Sequence, residues 1–185
     1  RGVKLYLARM PREDLAEQEG RRWAEIIELA INLEQAGDII EHMLGKVQHL
    51  KTTQRRSFSD NGLEELNRLH AQLSANLRLG LSVFLSCDAH SARQLLQHKR
   101  QFRKLERELA HAHVQRLHRQ VVESIETSAA HLELIADMKR LNSLFCSAAY
   151  AALEGPGGSK ARPPAESPRE VLAAEHGLPG KPAQV

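Results

Sequence analysis

Apolar residues recur along this chain at steps of three and four, the spacing that keeps one side of an α-helix hydrophobic, in four successive stretches. The first runs from residue 11 or 14 to residue 56, with Trp23, Ile26, Ile27, Ala30, Leu33, Gly37, Ile40, Leu44 and Val47 as its stripe. At about 1.5 Å per residue such a helix is on the order of 60 Å long. Residues 1–10 read as the last turns of a truncated helix that stops before Pro11, because a residue preceding proline disfavours the α region. Residues 57–62 form a turn, and Asn61 with Glu64 three positions on predicts a capping-box start for the second helix, with Asn in place of Ser or Thr. Its inner side is Leu66, Leu69, Leu73, Leu77, Gly80, Leu81 and Phe84, and it ends near Cys87. Asp88 predicts the N-cap of the third helix, with Ala92, Leu95, Leu96, Phe102, Leu109 and Leu117 facing inward. A break over residues 118–123 leads to the fourth, with Ile125, Leu132, Ile135, Leu141, Phe145 and Ala149. Short links between long helices make neighbours antiparallel, so the predicted fold is all-α, an antiparallel up-down bundle over residues 11–153.

The pattern changes at residue 154. Six of the seven prolines and five of the eleven glycines lie from there to the end, a composition that buries too little apolar surface to offset the entropy of ordering. Residues 154–185 are therefore expected to be a disordered tail, with a short amphipathic piece over 169–176 after Ser167-Pro168. Composition otherwise supports the helical reading. Hydrophobic residues are 42% of the 185, enough for a core, while aromatics are only 4% and strands are not expected.

Charge and chemistry narrow the function classes. The net charge is +3, but acidic residues are interleaved with basic ones. Even the densest basic stretch, with Lys99, Arg100, Arg103, Lys104, Arg107, Arg116 and Arg119, is interrupted by Glu106 and Glu108. No nucleic-acid motif accompanies it, so it reads as a solvated helix face and no nucleic-acid partner is expected. No apolar run approaches the roughly 20 residues that span a bilayer. Arg1 reads as the edge of a fragment, with no signal peptide behind it. Cys87 and Cys146 have no CxxC partner and sit in helical patterns, which predicts buried, reduced thiols of a cytoplasmic protein. Phosphate loops, HExxH and nucleophile elbows are missing from the sequence, so no enzymatic activity is expected.

Candidate site residues come from charge spacing. Glu34, Asp38 and Glu41 stand at i, i+4 and i+7, three carboxylates on one helix face beside the apolar stripe. Such acids need compensation by cations or a metal. Lys99 and Arg103 on the third helix are candidate partners in an internal ion-pair network. Glu133 and Asp137 repeat the i, i+4 spacing, with His131 pointing to another side; His111, His113 and His118 read as surface histidines.

Two segments carry a family resemblance. Asn32-Leu33-Glu34-Gln35-Ala36-Gly37-Asp38-Ile39-Ile40-Glu41 is similar to one helix, and the run from Glu126 through Ser128, His131, Asp137, Lys139, Arg140 and Asn142 to Ser143 to another, of the PhoU-like domain that follows the membrane half of bacterial sodium/phosphate cotransporters. Asp88 and Ala92, between them, fit a helix start of the same domain, and the likeness covers about residues 3–153. The resemblance implies repeated three-helix units, the chain beginning inside the second helix of one and containing the whole of the next. It also implies a cytoplasmic domain at the inner membrane face, regulatory or scaffolding in phosphate transport or homeostasis. Its partner would be the membrane-embedded transporter half missing from this chain. Because a truncated bundle exposes an apolar face, a homo-oligomer is a further expectation.

PhoU-type motifs resemble iron or zinc sites, and Glu34 with Asp38 matches one of them, which makes a metal-binding helical protein the first alternative. The second unit departs from the pattern, with Lys99 and Arg103 where paired acids are expected and Lys139 and Ser143 where the first has Glu34 and Asp38. The ion-pair network is thereby favoured over metal. Lys139, Arg140 or the basic stretch offer conceivable anion contacts, and a helical interaction module unrelated to PhoU is the remaining alternative.

Overall fold

The computed structural model describes residue 6, residues 16–118 and residues 125–154. Among the described residues are, in chain order, the helices α1 Glu17–Thr52, α2 Asp60–Ser86, α3 Ala89–His118, α4 Ser128–Phe145 and α5 Ala148–Glu154. No strand occurs among the described residues. The truncated helix over residues 1–10, apart from helical Tyr6, most of the break over 118–123 and the tail beyond 154 lie outside them.

Side-chain pairs fix the directions. Glu65 near the start of α2 meets Arg116 near the end of α3, so those helices are antiparallel. Lys46 late in α1 meets Glu133 early in α4, and Asn32 donates to Ser147 just past α4, so α1 and α4 are antiparallel as well. The α2–α4 pairs, Glu65 with His131 and Asn76 with Asn142, run in the same order. This is the up-down bundle expected from the short links.

Local chemistry sets the helix ends. α1 begins after Ala16, whose backbone N–H donates to the Glu19 carboxylate at 3.0 Å, three to six residues later than the spacing suggested. α2 is capped by Ser59, which accepts from the Gly62 N–H at 3.3 Å, so the Asn61–Glu64 cap is displaced by two residues. A hydroxyl already in extended backbone at 59 satisfies the first-turn N–H, and Asn61 lies inside the helix. Asp88 caps α3 as expected, accepting from the backbone N–H of Ser91 at 2.7 Å and of His90 at 3.3 Å. A hydrogen bond from the Ser91 side chain, followed by those backbone bonds, favours the charged carboxylate and holds Asp88 below the usual range. The fourth helix is not continuous to Ala149 but breaks at Cys146 and Ser147.

The core has two parts. Ala36, Leu66, Leu69, Leu73, Phe102, Leu109, Leu134, Ile135, Met138 and Leu141 form one; Val83, Ala92, Leu95, Cys146 and Ala149 form the other. Gly80 lies beside the second, where a Cβ would collide with the Phe145 carbonyl oxygen. α2 and the end of α4 therefore approach closely because residue 80 has no side chain.

Several expected inner residues lie outside. Leu81, Ile125 and Leu132 are exposed, and so are Leu33, Ile40 and Leu44 of α1. α1 carries two apolar ridges. Ala36, Ile39, Met43, Val47 and Leu50 turn toward the bundle, and the seam through Leu33, Gly37, Ile40 and Leu44 turns away. A stripe at steps of three and four is satisfied by either ridge, so periodicity alone did not choose between them. The cysteines also differ from each other: Cys146 is buried, while Cys87 is exposed in a left-handed turn after α2 with φ 52°.

Candidate functional site

The acidic triad of α1 is not an internal site. Glu34, Asp38 and Glu41 are all exposed, and no ion pair joins them to Lys99 or Arg103 among the described residues. They share the outward side of α1 with Leu33 and Ile40, while the bundle takes the opposite ridge. Lys99 instead reaches the Tyr150 hydroxyl at 3.4 Å and lies 5.1 Å from the centre of that ring. Both cations lie near Cys146, whose thiol burial pushes up to about 11 against their pull. Among the described residues no group of three or more His, Cys, Asp or Glu side chains could hold an iron or zinc ion.

The Glu126–Ser143 motif has a concrete structural reading, because most of its polar residues brace α4 against its neighbours, while Arg140 and Ser143 bond within α4. Glu126 pairs with Arg56 at 3.4 Å, and Lys139 with Glu106 at 3.6 Å. Asp137 is buried, with Arg140 at 3.4 Å from one oxygen and Lys46 at 3.9 Å from the other. Lys46 also holds Glu133 at 2.5 Å, and that hydrogen-bonded ammonium lowers the Glu133 carboxyl below its ordinary value. Asn142 accepts from the buried Asn76 amide at 2.7 Å, and Ser143 donates to the Lys139 carbonyl.

His131 enters a dense polar cluster joining three helices, which the sequence reading missed. Arg116 of α3 donates to both oxygens of Glu65 of α2, at 2.5 and 2.7 Å, and to Nδ1 of His113 at 3.3 Å. A guanidinium can only donate, so His113 Nδ1 is the acceptor, and Nε2 carries the proton it donates to the Ser128 hydroxyl at 3.0 Å. The His113 and His131 rings stack face to face, centroids 4.5 Å apart and 7° from parallel. Phe58 meets His131 edge-on at 5.9 Å, and Gly62 leaves room for the ring. His131 Nε2 lies 3.2 Å from Glu65 without hydrogen-bond geometry.

Both histidines are 1% exposed, which decides their charge. Burial, then the Arg116 charge, lowers His113; burial, then the neighbouring imidazole, brings His131 down to about 4. Both are neutral at pH 7. The surface reading of His113 is corrected by its place on the inner stripe of α3, one turn beyond Leu109. The same extrapolation finds Glu65 beside Leu66 on α2 and His131 before Leu134 on α4.

Two open grooves flank the bundle. One of about 650 Å³ is lined by Arg21, Arg22, Glu25 and Arg93 among others, the other of about 600 Å³ by His42, Lys46, Arg56, Glu126 and Glu133. In each, bases are matched by acids: Arg22 by Glu25, Lys46 by Glu133, Arg56 by Glu126. Neither has the excess of positive donors that an anion site needs.

Over 160 residues the chain is 57% identical to a protein of Escherichia coli (strain K12) and 58% identical to one of Salmonella typhimurium. Both carry the name "Putative inorganic phosphate export protein YjbB". Each match takes in 86% of this chain but only 30% of the relative, so the chain is homologous to a segment of larger, phosphate-related proteins. No family model and no solved structure matches it.

Proposed function

We propose that this chain is a PhoU-like regulatory or scaffolding domain that acts, without enzymatic chemistry, on a sodium-dependent phosphate transporter. In this reading it lies in the cytoplasm at the inner membrane face and docks on the membrane-embedded half of the longer protein. The observation that carries it is the 57% identity to a segment of proteins named for inorganic phosphate export. None of the described helices is long and apolar enough to cross a membrane; in this reading the translocation path lies in the part of the relatives beyond the match.

The arrangement of side chains supports the same reading. Glu126, Glu133, Lys139 and Asn142 of the motif are engaged with other elements of the bundle, and the exposed seam of Leu33, Gly37, Ile40 and Leu44 offers an apolar face with steps of four, three and four. That spacing suits packing against another helix. Docking there transmits a change in the bundle to the transporter half with no covalent step.

Phosphate flux in cells expressing the longer protein tests the proposal. The intact protein, a form lacking this domain and a form carrying Ile40→Asp with Leu44→Asp are compared, in both directions of transport and with and without sodium. Altered flux on deletion, reproduced in part by the seam variant, is the expected result. Identical flux in all three overturns the regulatory role, and flux indifferent to sodium removes that part of the reading. Stoichiometric iron or zinc in the purified protein would favour the metal-binding alternative instead.

A further inference from the structure

Glu65, His113, Arg116 and His131 draw together the start of α2, the end of α3 and the start of α4. We infer that the stacked His113–His131 pair beside the Arg116–Glu65 bridge is an acid-operated latch on this end of the bundle, closed while both rings are neutral and released when either takes a proton. This goes beyond the proposed transporter role and holds whether or not that role is correct.

The geometry carries the inference in two ways. His113 Nδ1 accepts a hydrogen bond from Arg116, so a proton added there turns the acceptor into a donor facing a donor. The guanidinium must then move, and with it the grip on Glu65. Protonation of His131 instead places a cation 4.5 Å from a second imidazole in a site with 1% exposure. The acid in reach is Glu65, and Arg116 already engages both of its oxygens.

Among the described residues, the charges around the rings leave no other compensation. α2 contributes Glu65, α3 contributes His113 and Arg116, and α4 contributes His131 with the uncharged Ser128. Phe58 and Gly62 add contacts without charge. No described charge of α1 acts on either ring. Arg56 and Glu126, near the start of α4, neutralise each other.

The direction of the pH effect follows. A histidine held below its ordinary value binds fewer protons folded than unfolded, so the native packing is favoured above about 6.5 and loses ground as pH falls toward about 4. The other core cluster, Val83, Ala92, Leu95, Cys146 and Ala149, contains no histidine and is an internal control.

Hydrogen exchange on the whole chain at pH 7.5 and 5.0, corrected for the intrinsic pH dependence, reads the latch. Protection over residues 109–116 and 131–138 is expected to fall at least about tenfold more than over residues 80–86 and 148–152, a difference of about one decade in opening equilibrium. His113→Gln with His131→Gln should abolish that difference. An equal fall at both ends, or an undiminished difference in the double variant, overturns the inference. Should the variant fail to fold, imidazole NMR of the unaltered chain decides. Loss of the native stacked-ring signals together with Arg116 side-chain protection, in one transition below pH 6, supports the latch; ring titration at or above pH 6.5 with native packing intact sinks it.

Discussion

Arg116 places two guanidinium nitrogens on the two carboxylate oxygens of Glu65, at 2.5 and 2.7 Å, joining α3 to α2 where both side chains are nearly buried. Among the described residues Glu65 is the acid that pairs with Arg116, so this guanidinium depends on it for its counter-charge. Breaking a buried pair from one side leaves an uncompensated charge, which typically costs about 3–5 kcal/mol. Glu65→Gln and Arg116→Met should each lower stability by that order in urea unfolding. Glu65→Leu combined with Arg116→Met should recover most of the loss, because an apolar pair carries no desolvation cost. A double variant as unstable as the worse single one would show that shape, not charge, is what matters there.

Gly80 gives a second prediction. A methyl group at this position meets backbone, the Phe145 carbonyl, not a side chain that could swing aside. Gly80→Ala would raise helix propensity at an exposed site, yet here it should destabilise, by about 1–3 kcal/mol for overpacking. Gly37→Ala, with nothing within 4 Å of its Cβ position, is the matched control and should stabilise slightly. Thermal unfolding of the two variants checks the opposite signs.

The fold was readable because long helices with leucine at steps of three and four leave few alternatives, and Asp88 signalled its own cap. What escaped was orientation. α1 has apolar residues on two ridges, and the one containing Leu33 and Ile40, which the expected stripe followed, is the more exposed in space. Glu34 and Asp38 went outward with it. The buried cluster escaped for the opposite reason: Glu65, His113 and Arg116 are residue types that normally lie at the surface, and only their partners on other helices make burial tolerable. Their positions on the inner stripes were visible; the pairing across three helices was not. The Glu126–Ser143 run was legible as a unit, and the structure gives its His131, Asp137 and Asn142 buried places.

The two cysteines should separate by reactivity. Cys87 is exposed, with an Arg22 nitrogen 3.5 Å from its sulfur, whereas Cys146 is buried and its thiol is pushed up to about 11. Thiolate is the reacting form, so at pH 8 the native protein should release one equivalent in a thiol–disulfide assay and two in denaturant. Rapid labelling of Cys146 in the native state would mean that the joint between α4 and α5 opens.

Lys46 serves one exposed and one buried acid, and the two should differ in cost. Glu133 is half-exposed at its side chain, so its 2.5 Å pair with Lys46 is screened and Glu133→Gln should cost less than about 1 kcal/mol. Its lowered carboxyl pKa makes that small term present above the unfolded value and lost as pH falls through the folded one. Asp137 is 4% exposed, and Asp137→Ala removes a buried acceptor of Arg140 while Lys46 keeps Glu133, a loss of about 1–3 kcal/mol. Urea titrations at pH 7 give both numbers, and equal costs would contradict the assigned burial.

The outward ridge of α1 yields the test that separates packing from docking. Leu44 is 64% exposed and Ile40 43%, so neither contributes much to the core. Ile40→Asp with Leu44→Asp should change folding stability by no more than about 0.5 kcal/mol per site, the range usual for surface positions. The same pair should sharply reduce any self-association of the isolated domain, because apolar seams of this spacing associate when uncovered. Adding acids beside Glu34, Asp38 and Glu41 also makes the ridge repel a second copy of itself. Sedimentation at several protein and salt concentrations distinguishes the outcomes. Unchanged stability with weaker association identifies the ridge as a docking face, whereas a cooperative loss of the fold would mean that this side of α1 is part of the core after all.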